Sequence, residues 1–125
     1  MGWNDFFKTT VAMPKNWKTL TSINDLEDAI ALSEHQTVVL FKHSTRCPVS
    51  TMAKRELEGN FSLPEEKAVF YYLDLIAHRD VSNAIAQNIG VHHESPQIIV
   101  LKDRKATYSA SHSGIKGKAL EDAIG

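Results

Sequence analysis

"TVVLFKHSTRCPVSTMAKRELEG", residues 37–59, holds the one cysteine of the 125-residue chain, and its reading decides the fold. Thr37 to His43 form a β-branched and aromatic run, short enough to be a buried strand. From Cys47 onward the periodicity becomes helical. Val49, Met52, Ala53 and Leu57 fall at i, i+3, i+4 and i+8 and are expected to face inward. Gly59 follows where a C-terminal cap belongs. Pro48 stands at or near the first helical position, where its missing N–H has no intrahelical partner to lose. The stretch predicts a strand, a turn and a helix, with Cys47 at the start of the helix.

The flanking segments repeat the alternation. "TSINDLEDAIALSE", residues 21–34, opens on hydroxyl residues fit for an N-cap and puts Ile23, Leu26, Ile30 and Ser33 on one face. "AVFYYLDL", residues 68–75, reads as a second strand. "RDVSNAIAQNIG", residues 79–90, reads as a helix with Val81, Ala84, Ile85 and Ile89 inward and Gly90 at its end. "PQIIVLKD" and "KATYSAS" read as a hairpin turning at Asp103-Arg104-Lys105, and a short helix over 116–124 closes the chain. The order α-β-α-β-α-β-β-α argues for parallel strands joined by right-handed crossovers, with an antiparallel edge from the hairpin. The expected architecture is an α/β sandwich around a central mixed sheet of about four strands. A chain of this length suits one domain, residues 1–125, with residues 1–20 as an N-terminal extension or short strand packed on it.

Composition narrows the function. A net charge of −1 removes the electrostatic case for nucleic-acid or anionic-membrane partners. No apolar run approaches the ~18 residues of a membrane span. The N-terminal "MGWNDFFKTTVAMPKNW" lacks a basic-then-apolar leader, and Phe6 stands where a myristoylation signal wants Ser or Thr. The expected location is the cytoplasm, and there the "NFS" sequon at 60–62 has no role. One cysteine forms no intramolecular disulfide.

Cys47 carries the chemistry. At a helix N-terminus its sulfur faces unpaired backbone N–H groups and the positive end of the helix dipole, both of which favour a thiolate. Arg46 adds a cation beside it. Because nucleophilicity falls with basicity, attack gains less than the thiolate population does; the larger gain is that a low-pKa thiol leaves a mixed disulfide faster. Ser50, one helical turn on, can donate a hydrogen bond to the sulfur but cannot attack a disulfide. His43 is near enough in sequence to act as a base, although a strand-end histidine is commonly structural. His92-His93-Glu94 reads as a solvated loop, since adjacent strand histidines face opposite ways and no second cluster completes a metal site. No metal is expected. Trp17, Phe6 and Phe7 read as packing over the core, and Tyr71-Tyr72 as ordinary strand content.

The run Thr45-Arg46-Cys47-Pro48-Val49-Ser50, opening a helix after a strand, resembles the active site of the thioredoxin and glutaredoxin superfamily. "VHHESPQIIVLKDRKATYSASHSGI", residues 91–115, is similar to that superfamily's cis-proline strand and hairpin, with Ser95-Pro96 in the diagnostic place. The resemblance covers about residues 20–125 and implies a thioredoxin-like three-layer α/β/α sandwich. "FKHSTRCPVSTMAKRELE" resembles most the monothiol bacilliredoxins of the BrxC/YtxJ type, with their Thr-x-Cys-Pro-hydrophobic-Ser motif. That family's proposed role is to remove bacillithiol from oxidised protein thiols in bacteria that use bacillithiol in place of glutathione. The resemblance implies Cys47 as nucleophile, with Arg46, Pro48 and Ser50 stabilising its thiolate. It also implies Thr45, Ser95 and Pro96 on the substrate, the backbone of Ser95 pairing with it as an added strand. Its implied partners are S-thiolated cytosolic proteins, with bacillithiol as the low-molecular-weight thiol co-substrate. Dithiol thioredoxins place Trp before the cysteine and Gly-Pro after it, where this chain has Arg46 and Pro48-Val49. Cluster-binding monothiol glutaredoxins carry Cys-Gly-Phe-Ser, and glutaredoxins place a lysine where Ser44 stands. Two rival readings stay open: an iron–sulfur-cluster-binding glutaredoxin-like protein, and a redox-inert thioredoxin-fold adaptor.

Overall fold

The computed structural model describes residues 17–44 and 46–125. Strands β1 (Lys18–Thr19), β2 (Val38–His43), β3 (Val69–Asp74), β4 (Gln97–Lys102) and β5 (Lys105–Ser111) alternate with helices α1 (Ile23–Leu32), α2 (Pro48–Asn60), α3 (Arg79–Ile89) and α4 (Gly117–Ile124). The five strands form one mixed sheet in the order β1-β3-β2-β4-β5. The fifth strand, beyond the four expected, is β1. It pairs parallel with β3 through Lys18–Tyr71 and Thr19–Tyr72, and two residues are too few to show a period. Ahead of it Trp17 lies against Phe70 and Phe41, at ring distances of 5.6 and 5.9 Å. Phe6, Phe7 and the rest of the expected extension through residue 16 lie outside the described residues.

β2 is buried along its whole length, as a strand covered on both faces must be. Its side chains alternate between two cores. Val38 and Leu40 join Leu26, Ile30, Val81, Ile85, Ile99 and Leu101 beneath α1 and α3. Val39 and Phe41 join Ala53, Leu57, Phe61, Phe70, Leu120 and Ile124 beneath α2 and α4. The result is the three-layer sandwich of the thioredoxin fold.

β2 and β3 are parallel across α2, whereas β4 runs antiparallel to β2. The α3 crossover therefore does not return a parallel strand. After Gly90, which ends α3 at φ 81°, residues 91–96 bring the chain back to the end of the sheet where β2 finishes, so that β4 starts opposite Lys42. At ~3.3 Å per residue they reach up to ~20 Å, about the length of a six-residue strand. The hairpin turns through Asp103 and Arg104, both with positive φ, as a two-residue turn of the primed kind. Ser33, at the end of α1, holds it: its carbonyl accepts from the Asp103 N–H at 2.7 Å and its Oγ from the Arg104 N–H at 2.8 Å.

Two expectations for α2 need correction. Its inward stripe is Ser50, Ala53 and Leu57, while Val49 and Met52 are 43% and 68% exposed. Each precedes a stripe residue by one position, about 100° around the helix. A buried serine is invisible to a hydrophobic pattern, so the exposed apolar pair took its place. Nor does Gly59 cap the helix, which runs to Asn60 and ends as Phe61 turns extended and buries its ring.

Candidate active site

Cys47 is the N-cap of α2, with extended backbone (φ −102°, ψ 119°) and Pro48 in the first turn. Its N–H bonds the Ser44 carbonyl at 3.2 Å, and its own carbonyl accepts from Thr51 N–H at 3.2 Å. These bonds fix the turn between β2 and α2 and leave the sulfur partly exposed. The side chain makes no aligned capping bond, but the first-turn amides still act on it. The Ser50 N–H holds the thiol below its ordinary pKa. Desolvation opposes this, and the Val49 N–H and Ser50 hydroxyl reinforce it.

The Arg46 side chain is exposed, and the thiol is held down by backbone amides and the Ser50 hydroxyl. An exposed cation is screened by water, whereas amide dipoles in the helix turn are fixed in place. Thr45 lies outside the described residues.

Ser50 is fully buried rather than on the helix surface. Its Oγ accepts from the Ser44 N–H at 3.3 Å. A hydroxyl has one proton to donate as well as lone pairs to accept with, so Ser50 can brace the turn and still point its proton at the sulfur. Ser50→Ala is expected to shift the midpoint of the pH-dependent alkylation of Cys47 upward. It is also expected to lower stability by roughly 1–3 kcal/mol, because it leaves a buried N–H unpaired; iodoacetamide kinetics across pH and urea melts check both.

The Ser95–Pro96 bond is cis, and Pro96 is buried. The Pro96 carbonyl accepts from His112 N–H at 3.1 Å, and His112 Nε2 lies 3.4 Å from Glu94 Oε2. The loop before β4 is thereby joined to the turn after β5. Between that turn and α2 runs a groove of about 370 Å³ lined by Val49, Met52, Ala53, His112, Ile115 and Lys116, among others. The two apolar side chains expected in the core thus form the wall of a groove beginning two residues from Cys47.

His43 is buried with its ring 5.5 Å from those of both Phe41 and Tyr72, and its Nδ1 has no hydrogen-bond partner among the described residues. Desolvation, then Lys54, hold its pKa below the usual value, against Asp74 and the Ser50 backbone. It is a packed neutral side chain rather than a paired base. Among the described residues no group of three or more His, Cys, Asp or Glu is placed to hold a metal ion, and no helix is long and apolar enough to cross a membrane.

Lys42, which no periodicity marked, is fully buried on the α1/α3 side of the sheet. Its Nζ lies 2.7 Å from His93 Nδ1. Desolvation lowers its pKa from 10.5 to about 8, partly offset by Glu94. At ~1.36 kcal/mol per unit the buried charge costs roughly 3 kcal/mol. The sign follows from linkage. Below pH 8 both states carry the proton and the full penalty applies. Between pH 8 and 10.5 the unfolded chain binds more protons, so this group's contribution to stability rises with pH. Lys42→Met is therefore expected to be more stable than the native chain at pH 7 by roughly 1–2 kcal/mol, the relieved desolvation less the hydrogen bond to His93. The gap should close towards pH 10.5, as paired urea titrations at pH 7 and 10 would show.

A single activated cysteine on the turn between a central parallel strand and a helix, in this sheet order, defines a thiol redox protein of the thioredoxin fold. The chain belongs to the monothiol bacilliredoxin BrxC family, whose model matches residues 18–120. Among solved structures it is similar to a thioredoxin-fold protein assigned as an oxidoreductase, at 29% identity and a TM-score of 0.74, over 96% of this chain and 98% of that one. It also resembles the thioredoxin of Malassezia sympodialis, at 21% identity and TM-score 0.66 over 90% of this chain and 91% of that one. Fasciola hepatica thioredoxin matches at 18% identity and TM-score 0.65, over 86% of this chain and 95% of that one. The last two likenesses are of fold.

Proposed function

We propose that this protein removes bacillithiol from S-bacillithiolated cytoplasmic proteins through a mixed disulfide on Cys47. The observation that carries this reading is a partly exposed cysteine, its thiol pKa held down by first-turn amides, in a chain with no second cysteine. The Cys47 thiolate attacks the bacillithiol sulfur of the substrate's mixed disulfide. The substrate's sulfur leaves with the bonding pair, takes a proton from solvent and becomes a free thiol; Cys47 is now disulfide-bonded to bacillithiol. The thiolate of a second bacillithiol attacks the sulfur of the bound one, giving oxidised bacillithiol and regenerating the Cys47 thiolate. One disulfide is consumed and one formed, so the cycle needs no electrons beyond those of bacillithiol. Cys47 is the leaving group in the second step, where a lowered pKa helps most.

In this reading Ser50 and Pro48 shape the thiolate, Arg46 offers a solvent-exposed cation near the incoming disulfide, and Thr45, Ser95 and Pro96 meet the substrate. The test is intact mass after incubating the reduced protein with oxidised bacillithiol, with oxidised glutathione in parallel. The expected result is one bacillithiol adduct, reversed by free bacillithiol and absent from Cys47→Ala. Equal labelling by both disulfides would make it an exchange enzyme of open thiol preference. No adduct with either would move the redox-inert adaptor to the front.

A further inference from the structure

Lys42 invites a role beyond filling space. An apolar side chain of similar length would occupy the same volume without burying a charge. What distinguishes the lysine is its partner. His93, whose Nδ1 is 2.7 Å from Lys42 Nζ and 3.4 Å from Ser82 Oγ of α3, lies in the loop that leads to Ser95. On β4 the registered partner of Lys42 is Gln97, whose Nε2 donates to the His92 carbonyl at 3.0 Å. Two consecutive loop residues are thus each tied to a side chain from a different strand. An ammonium only donates, so His93 accepts at Nδ1 and keeps its proton on Nε2. The neutral ring this requires is favoured by desolvation, then by Lys42, Arg79 and His92, against Glu94.

The β2–β4 register shows what the loop faces. Continued past its last pair, Lys42–Gln97, it sets Pro96 opposite His43 and Ser95 opposite Ser44. The Ser44 carbonyl bonds the Cys47 N–H. The loop end therefore stands beside the cysteine turn, and its neighbouring residues are held from beneath by Lys42 and Gln97.

We propose that Lys42 is a positioning residue: by donating to His93 it holds the 91–96 loop where the Ser95 backbone meets a thiolated protein beside Cys47. This rests on the function proposed above. The ammonium touches neither substrate nor sulfur; it acts through His93.

Three variants test it: Lys42→Met, His93→Leu and His93→Asn, whose Oδ1 replaces Nδ1 as acceptor. Cleavage after Glu94 by a glutamate-specific protease, followed by mass, reads the loop itself. Steady-state release of bacillithiol from a thiolated protein, with free bacillithiol in excess, reads its use. Lys42→Met and His93→Leu are expected to be cut about tenfold faster after Glu94 and to raise KM about tenfold, with kcat within twofold, the size of effect one charge-assisted hydrogen bond gives. His93→Asn is expected to stay near the native protein in both. Unchanged cleavage in the first two overturns the proposal. So does faster cleavage without a rise in KM, or a His93→Asn protein as impaired as His93→Leu. Oxidised bacillithiol added to each variant keeps the two ideas apart. If even the native protein forms no Cys47 adduct, the proposed function fails by itself, and loop cleavage still decides the role of Lys42: unchanged cleavage refutes it, and faster cleavage restored by asparagine supports it.

Discussion

Cys47→Ser is expected to abolish thiol exchange, with bacillithiol release falling to the rate of free bacillithiol alone and no adduct visible by mass. The reason is chemical rather than structural. A serine hydroxyl at the same N-cap meets the same Ser50 and Val49 amides, but they cannot ionise an alcohol near neutral pH. Serine is a good N-cap residue, and the position is partly exposed, so stability should stay within ~0.5 kcal/mol of the native chain. A variant that is fully folded and fully inactive separates the sulfur's chemistry from its packing. Residual exchange above the uncatalysed rate would mean that another group takes part.

The largest expected effect on stability lies at the far end of α2. A Cβ on Gly117 would sit 2.6 Å from both the C and O atoms of Asn60 and 2.9 Å from Phe61 N. All three are backbone atoms, so no side chain can rotate away. The contact is also pinned from both sides: the Gly117 N–H bonds Glu56 Oε2 at 2.8 Å, and Ser62 N–H bonds Glu121 Oε2 at 2.7 Å. Relieving the clash means lifting the start of α4, which carries Leu120 and Ile124 into the core shared with α2. Gly117→Ala is expected to lose about 3 kcal/mol and to melt about 10 °C lower. The alkylation profile of Cys47, at the other end of α2, should not move. Calorimetry beside alkylation checks both halves; an unchanged melting temperature would mean that the helix ends give way more easily than backbone packing allows.

Much of this could be read from the sequence wherever function follows from local chemistry. Ser22 caps α1, its Oγ accepting from the Asp25 N–H at 3.1 Å, as a hydroxyl before an apolar period should. Gly90 takes the left-handed conformation that ends α3, and the cysteine followed by proline starts a helix. These signals lie within a few residues of what they determine. The failures are where meaning depends on distant partners. Ser50 carries no apolar signal, yet it is buried beneath the turn it braces, so the stripe read from the apolar residues falls on Val49 and Met52 instead. Gly59 is a plausible cap until Phe61 finds its place in the core. Lys42 looks like a break in a strand's apolar run. Its sense appears only when a histidine 51 residues away closes over it, and no window of sequence spans that distance. The direction of β4 is hidden for a related reason: where a six-residue loop returns the chain to the sheet depends on tertiary packing, not on the period of the elements it joins.

In the proposed cycle the small thiol passes from a substrate protein onto Cys47. The most direct measurement mixes one equivalent of reduced protein with an S-bacillithiolated substrate protein and follows both intact masses, without free bacillithiol. The expected result is that the substrate loses one bacillithiol as this chain gains one on Cys47, at matching rates. A substrate that keeps its bacillithiol, or a lasting disulfide between the two proteins with bacillithiol set free, would contradict it.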